Sequence, residues 1–97
     1  MNNPTAQTGL AIAADIYWDR AQAALSEAQA NPTDSELLER LEATAHQNAA
    51  LIEGLLEDAE KAPGWNTENE QRLANYRDEA QEAAEQVSSL YEQSYEA

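Results

Sequence analysis

The sequence contains no cysteine, no phenylalanine and a single histidine. Without cysteine there can be no disulfide, no thiolate metal ligand and no thiol nucleophile. The chain also has no Gly-x-Ser-x-Gly turn and no glycine-rich loop ahead of a helix, so it lacks the motifs of common hydrolases and of phosphate-binding loops. We therefore expect a protein without enzymatic activity, cofactor or metal ion.

Basic residues are scarce as well. Five Lys and Arg stand against 19 Asp and Glu, which gives a formal net charge of -14 at pH 7. A negative potential over most of the surface makes nucleic acid and anionic lipid poor direct partners, whereas a basic protein surface is a good one. No apolar run is long enough to span a bilayer, and residues 1–5 lack the features of a secretory signal. We expect no membrane partner and a cytoplasmic location.

Of the three prolines and three glycines, Pro32, Pro63 and Gly64 mark two breaks, near 31–33 and 62–66. Thr33 followed by Glu36 predicts a capping box at the first break. The same pattern recurs after the second break, from Thr67 to Glu70. Because Pro63 disfavours helical geometry in the preceding residue, the middle helix should end near Lys61.

Three helices of similar length follow, at about 6–30, 34–61 and 67–95. Equal lengths and short connections predict an all-α, antiparallel three-helix bundle with up-down-up topology, formed by residues 1–97 as a single domain. Apolar residues alternate by three and four along each helix, as in a bundle seam. The seam of the third helix contains Leu73, Tyr76, Ala80, Ala83, Val87, Leu90 and Ser94. That of the second contains Leu38, Leu41, Ala45, Asn48, Ile52, Leu55, Ala59 and Ala62, and that of the first Leu10, Ala14, Tyr17, Ala21, Ala24 and Ala28.

Two polar residues on the second helix, Asn48 and His46, are candidates for a site. Asn48 falls on the seam, and we expect a buried amide that fixes the register of the helices. His46 lies one position past Ala45 of the seam, and we expect an ordinary surface residue without a serine partner.

Acidic residues form two lines, which we call rails. The rail of the third helix contains Asp78, Glu82, Glu85, Glu92 and Glu96. The rail of the second helix contains Glu39, Glu42, Glu53, Glu57 and Glu60. Ordinary bundles mix both signs of charge, because like charges one turn apart destabilise a helix. The missing lysines therefore favour a function for the negative field, with adaptation to high salt as a competing explanation.

Four aromatic residues are candidate anchors for a partner: Trp18, Trp65, Tyr91 and Tyr95. Aromatic side chains within an acidic rim would make a good binding hot spot. The alternative is that they cover a thin core that contains no phenylalanine. Ala11, Ile12, Ile16 and Trp18 cannot all face one core, so the first helix should leave apolar residues exposed.

In length, acidity and helicity the chain resembles the small single-domain inhibitors encoded by phages and mobile elements, which include anti-CRISPR proteins and other DNA mimics. Immunity proteins against basic nuclease toxins are similar in size and charge. The resemblance implies an inhibitor that blocks the basic, nucleic-acid-binding surface of a partner protein, in the host cytoplasm if it is phage-encoded. One alternative is a helical adaptor, chaperone or scaffold subunit that pairs through the first helix, as a homodimer or with another chain. Another is a divalent-cation buffer.

Overall fold

The computed structural model describes residues 4–61 and 67–96, together with the side chains of residues 9–61, 68 and 70–95. Its three elements are α1 (Pro4–Ala30), α2 (Ser35–Lys61) and α3 (Thr67–Glu96). Each helix contacts both of the others. The predicted three-helix fold is confirmed, and every described helix boundary lies within two residues of its predicted position.

The direction of each helix follows from the hydrogen bonds between them. Partners on α1 and α3 keep a nearly constant separation of 57 to 61 residues, as expected for helices that run the same way: Asp15 with Tyr76, and Trp18 and Gln22 with Glu79. Between α2 and α3 the separation falls from 59 residues for Ser35 and Ser94 to 28 for Glu53 and Gln81. These two helices are therefore antiparallel, which makes the topology up-down-up.

Side-chain caps define the turn between α1 and α2. The Asn31 side chain donates from Nδ2 to the Glu27 carbonyl at 3.0 Å and closes α1. At the start of α2, the Leu37 amide donates to Asp34 Oδ1 at 3.2 Å. The predicted cap at Thr33 is wrong by one residue, because Thr33 belongs to the turn and the Asp34 carboxylate takes its role. The side chain of Thr67, predicted to cap α3, lies outside the described residues.

Alanine dominates the interior of the bundle. Among the described residues, ten of the sixteen buried apolar side chains are alanine, and the largest that are fully buried are Leu38, Ile52, Leu73 and Val87. Small side chains let helices approach closely but remove little apolar area from water. The result is a slender body whose Cα atoms extend over 57 × 16 × 16 Å, and its stability depends on a few large side chains.

One position of the α2 seam differs from the prediction by one residue. Leu56 is buried, whereas Leu55, which the heptad pattern places on the seam, is only half-buried. A straight helix has 3.6 residues per turn and drifts away from a strict seven-residue repeat. Leu56 therefore replaces Leu55 in the core beside Ala14 and Leu73.

Asn48 is buried as predicted, with 5% of its surface exposed. Its Nδ2 donates to the Thr44 carbonyl at 2.7 Å, within the same helix. Its Oδ1 has no hydrogen-bond partner among the described residues. The amide therefore makes no hydrogen bond between helices of the kind by which a buried asparagine specifies register, and a role in register stays a prediction.

Candidate partner-binding surface

The rail on α2 lies along the flank of that helix next to α3. It contains Glu39, Glu42, Glu53, Glu57 and Glu60, which are exposed except for the half-buried Glu42. Gln81 of α3 donates from Nε2 to Glu53 Oε2 at 3.4 Å. This contact between the two helices places the α2 rail beside α3.

The rail on α3 lies on the outward surface of that helix. Its described members, Asp78, Glu82, Glu85 and Glu92, are all exposed, and the side chain of Glu96 lies outside the described residues. Gln81 and Ser88 reach across to α2. Each lies three or four residues from a rail carboxylate, and therefore next to it on the helix surface. We call the nine described carboxylates of the two rails the acidic face.

Tyr91 and Tyr95 lie at one end of the acidic face. Their rings meet edge to face with centroids 4.8 Å apart, and their hydroxyl groups are hydrogen-bonded to each other. The hydrogen bond to Tyr95, partial desolvation and the negative charges of Glu39 and Glu42 raise the pKa of Tyr91 to about 12. Tyr95 is 66% exposed. This end therefore combines exposed aromatic surface with the field of the α2 rail.

His46 is exposed as predicted, but the expectation that it lacks a serine partner is wrong. Its Nε2 lies 2.8 Å from Ser88 Oγ on α3. The pair bridges α2 and α3 because the antiparallel register places these two residues at one level of the bundle. Sequence spacing alone could not reveal it, since the partners lie 42 residues apart.

Trp18 lies on a different side of the bundle, between α1 and α3. Its indole Nε1–H donates to Glu79 Oε2 at 2.7 Å, and its ring packs 5.6 Å from that of Tyr76. The Tyr76 hydroxyl in turn donates to Asp15 Oδ1 at 3.1 Å. Glu79 was absent from the predicted site because it belongs to neither rail. The only sequence signal for this contact would have been an acidic residue on the third helix that faces a tryptophan on the parallel first helix.

The aromatic anchors do not gather into one cluster. Glu79, which holds Trp18, lies 16 residues before Tyr95 on α3, which is about 24 Å along the helix axis. Tyr17 packs on the core next to Trp18 and lies under the Arg20 guanidinium, 5.9 Å from the ring centroid. Trp65 lies outside the described residues.

Few basic groups approach the acidic face. Among the described side chains the single ion pair joins Arg77 to its neighbour Asp78 at 3.0 Å. The other eight carboxylates of the acidic face have no ion pair among the described side chains. An exposed pair of this kind contributes little to stability.

Neither a metal site nor a membrane-spanning helix occurs among the described residues. They contain no group of three or more His, Cys, Asp or Glu residues that could hold a metal ion. Within the same part of the chain, no helix is both long and apolar enough to cross a bilayer.

Comparison with known proteins gave no match to any family model, to any curated protein or to any solved structure.

Proposed function

We propose that this chain is a non-enzymatic inhibitor that occludes the basic, nucleic-acid-binding surface of a partner protein, as antagonists encoded by phages and mobile elements do. One observation carries the proposal. The rail carboxylates of α2 and α3 lie on the surface of neighbouring helices and nearly all are exposed, and apart from the Arg77–Asp78 pair they have no ion pair among the described side chains. Such a surface attracts basic proteins over distance, and it accelerates association most at low salt.

The density of charge sets the kind of mimicry that this face can perform. The α3 rail has about one carboxylate per 6–7 Å of helix, whereas duplex DNA has about one phosphate per 1.7 Å of its axis. Two rails on neighbouring helices come within about a factor of two of that density. The face can therefore compete for a groove lined by lysine and arginine, but it does not reproduce the donor and acceptor pattern of the bases.

Capture from a lysate of the native host at low salt, followed by elution with duplex DNA, tests this proposal. We expect the captured protein to be a basic nucleic-acid-binding protein that DNA displaces. We also expect its affinity for the chain to fall at least tenfold between about 50 and 300 mM salt. Charge reversal at Glu82, Glu85 and Glu92 to lysine should abolish capture.

The matched control reverses three acids that lie outside the acidic face, Asp19, Glu27 and Asp58. This control changes the net charge equally and should retain most of the binding. Equal loss in both variants would mean that only net charge matters, and unchanged binding in the α3 variant would refute the proposal.

A second candidate is a helical adaptor or scaffold subunit that pairs through α1. Ile12 and Ile16 are 56% and 44% exposed and lie one turn apart, as expected for apolar residues left outside the core. Pairing through them would be insensitive to salt. Sedimentation at low and high salt separates the two candidates, because a complex that persists at high salt and dissociates in an Ile12→Ser, Ile16→Ser variant favours the adaptor.

A further inference from the structure

A groove of about 280 Å³ lies between α1 and α3 at the level of Trp18. Its walls are formed by Trp18, Gln22, Leu25, Glu79, Glu82, Ala83 and Gln86. Pockets that enclose a drug-sized ligand occupy about 300–1,000 Å³. This groove is smaller, so its size suits one long side chain of a partner better than a free substrate.

The aromatic wall of the groove is held in place by hydrogen bonds. The indole of Trp18 donates to Glu79 Oε2 at 2.7 Å, and Gln22 Nε2 donates to the Glu79 carbonyl at 3.4 Å. Tyr76 packs against the Trp18 ring and is itself tied to Asp15. Because these contacts fix the ring and one carboxylate before a partner arrives, little side-chain entropy remains to be lost on binding.

The chemistry of the groove selects a cation. Its lining contains two carboxylates, Glu79 and Glu82, and no basic residue, while Leu25 and Ala83 supply apolar surface for an aliphatic stem. A guanidinium fits better than an ammonium, since its planar fork pairs with carboxylates and stacks on an aromatic ring.

We propose that this groove binds an arginine side chain from the basic surface of the partner protein. The proposal rests on the proposed function and adds a residue-level anchor to it. Glu82 belongs both to the groove and to the α3 rail. An arginine held at Trp18 would therefore fix the position of a partner that the acidic face attracts only diffusely.

Titration of the full chain with an octa-arginine peptide, followed by the indole ¹H–¹⁵N resonances, tests the anchor directly. A Trp18→Phe spectrum assigns the two tryptophans. We expect the Trp18 resonance to shift on saturation. We also expect Glu82→Gln to weaken binding about tenfold, because it removes a charge-assisted hydrogen bond to the guanidinium.

The matched control is Glu57→Gln, which makes the same charge change on the α2 rail and should weaken binding less than twofold. An octa-lysine peptide should bind more weakly and shift the Trp18 resonance less. A Trp18 resonance that stays in place at saturation, equal losses in the two variants, or equal effects of the two peptides would each overturn the arginine anchor. The proposed function fails separately, if reversal of the α3 rail leaves capture of the partner unchanged.

Discussion

The outer surface of α1 and the acidic face of α2 and α3 belong to one bundle but offer different chemistry. Residues 1–33 contain three acids and one base, whereas residues 34–62 and 63–97 contain eight acids and two bases each. α1 instead exposes Ile12 and Ile16. One bundle can thus present a surface whose binding depends on salt and another whose binding does not, because only the outward residues of each helix differ.

The largest effect on stability is expected for a substitution in the core that both regions share. Ile52 is fully buried and packs with Ala21 of α1 and Ala80 of α3. Ile52→Ala should lower the free energy of unfolding by about 2–5 kcal/mol, as measured by urea denaturation with far-UV circular dichroism. Its control is the neighbouring Leu51→Ala, where a 42% exposed side chain is removed and the cost should be well below that of Ile52→Ala. Similar costs at the two positions would contradict the burial of Ile52 in the core.

A smaller effect on stability is expected when one acidic residue is neutralised in each region. Glu82 has acidic residues at one helical turn in both directions, Asp78, Glu79 and Glu85. Glu82→Gln should therefore stabilise the fold by about 0.5–1 kcal/mol at low salt, and the gain should shrink at about 0.5 M salt.

On α1, Glu27 has no charged residue three or four positions away. Glu27→Gln should change the free energy of unfolding by only a few tenths of a kcal/mol, through the dipole of α1. If Glu82→Gln destabilised the protein, self-repulsion on the acidic face would be absent, and the contrast between the two regions would lose its physical basis.

The smallest effect concerns the phenol at the end of the acidic face. The folded state raises the pKa of Tyr91 from 10.0 to about 12, so it favours the neutral phenol. The associated stability is fully present below pH 10 and is lost as the pH rises to about 12. Tyr91→Phe should therefore remove the latest part of the phenolate absorbance titration and reduce the loss of stability over this range. An unchanged titration would show that the hydrogen bond to Tyr95, desolvation and the charges of Glu39 and Glu42 do not together raise the pKa of Tyr91.

The sequence predicts individual helices well and contacts between helices poorly. Helix number, boundaries and most of the seam follow from proline placement and from heptad spacing, because both act within one helix. The pairs His46 with Ser88 and Trp18 with Glu79 depend on the axial register between helices. Periodicity says which face is buried but not which residues lie at one level, so the groove at Trp18 emerged only from the structure.

The abundance of alanine in the interior also keeps the bundle narrow. Close helix packing gives an elongated body whose Cα atoms extend 57 Å along its axis and 16 × 16 Å across it. A body of this shape would fit lengthwise into a cleft that excludes more globular domains. If the partner that we propose has such a cleft, its width as well as its charge would decide whether the chain binds it.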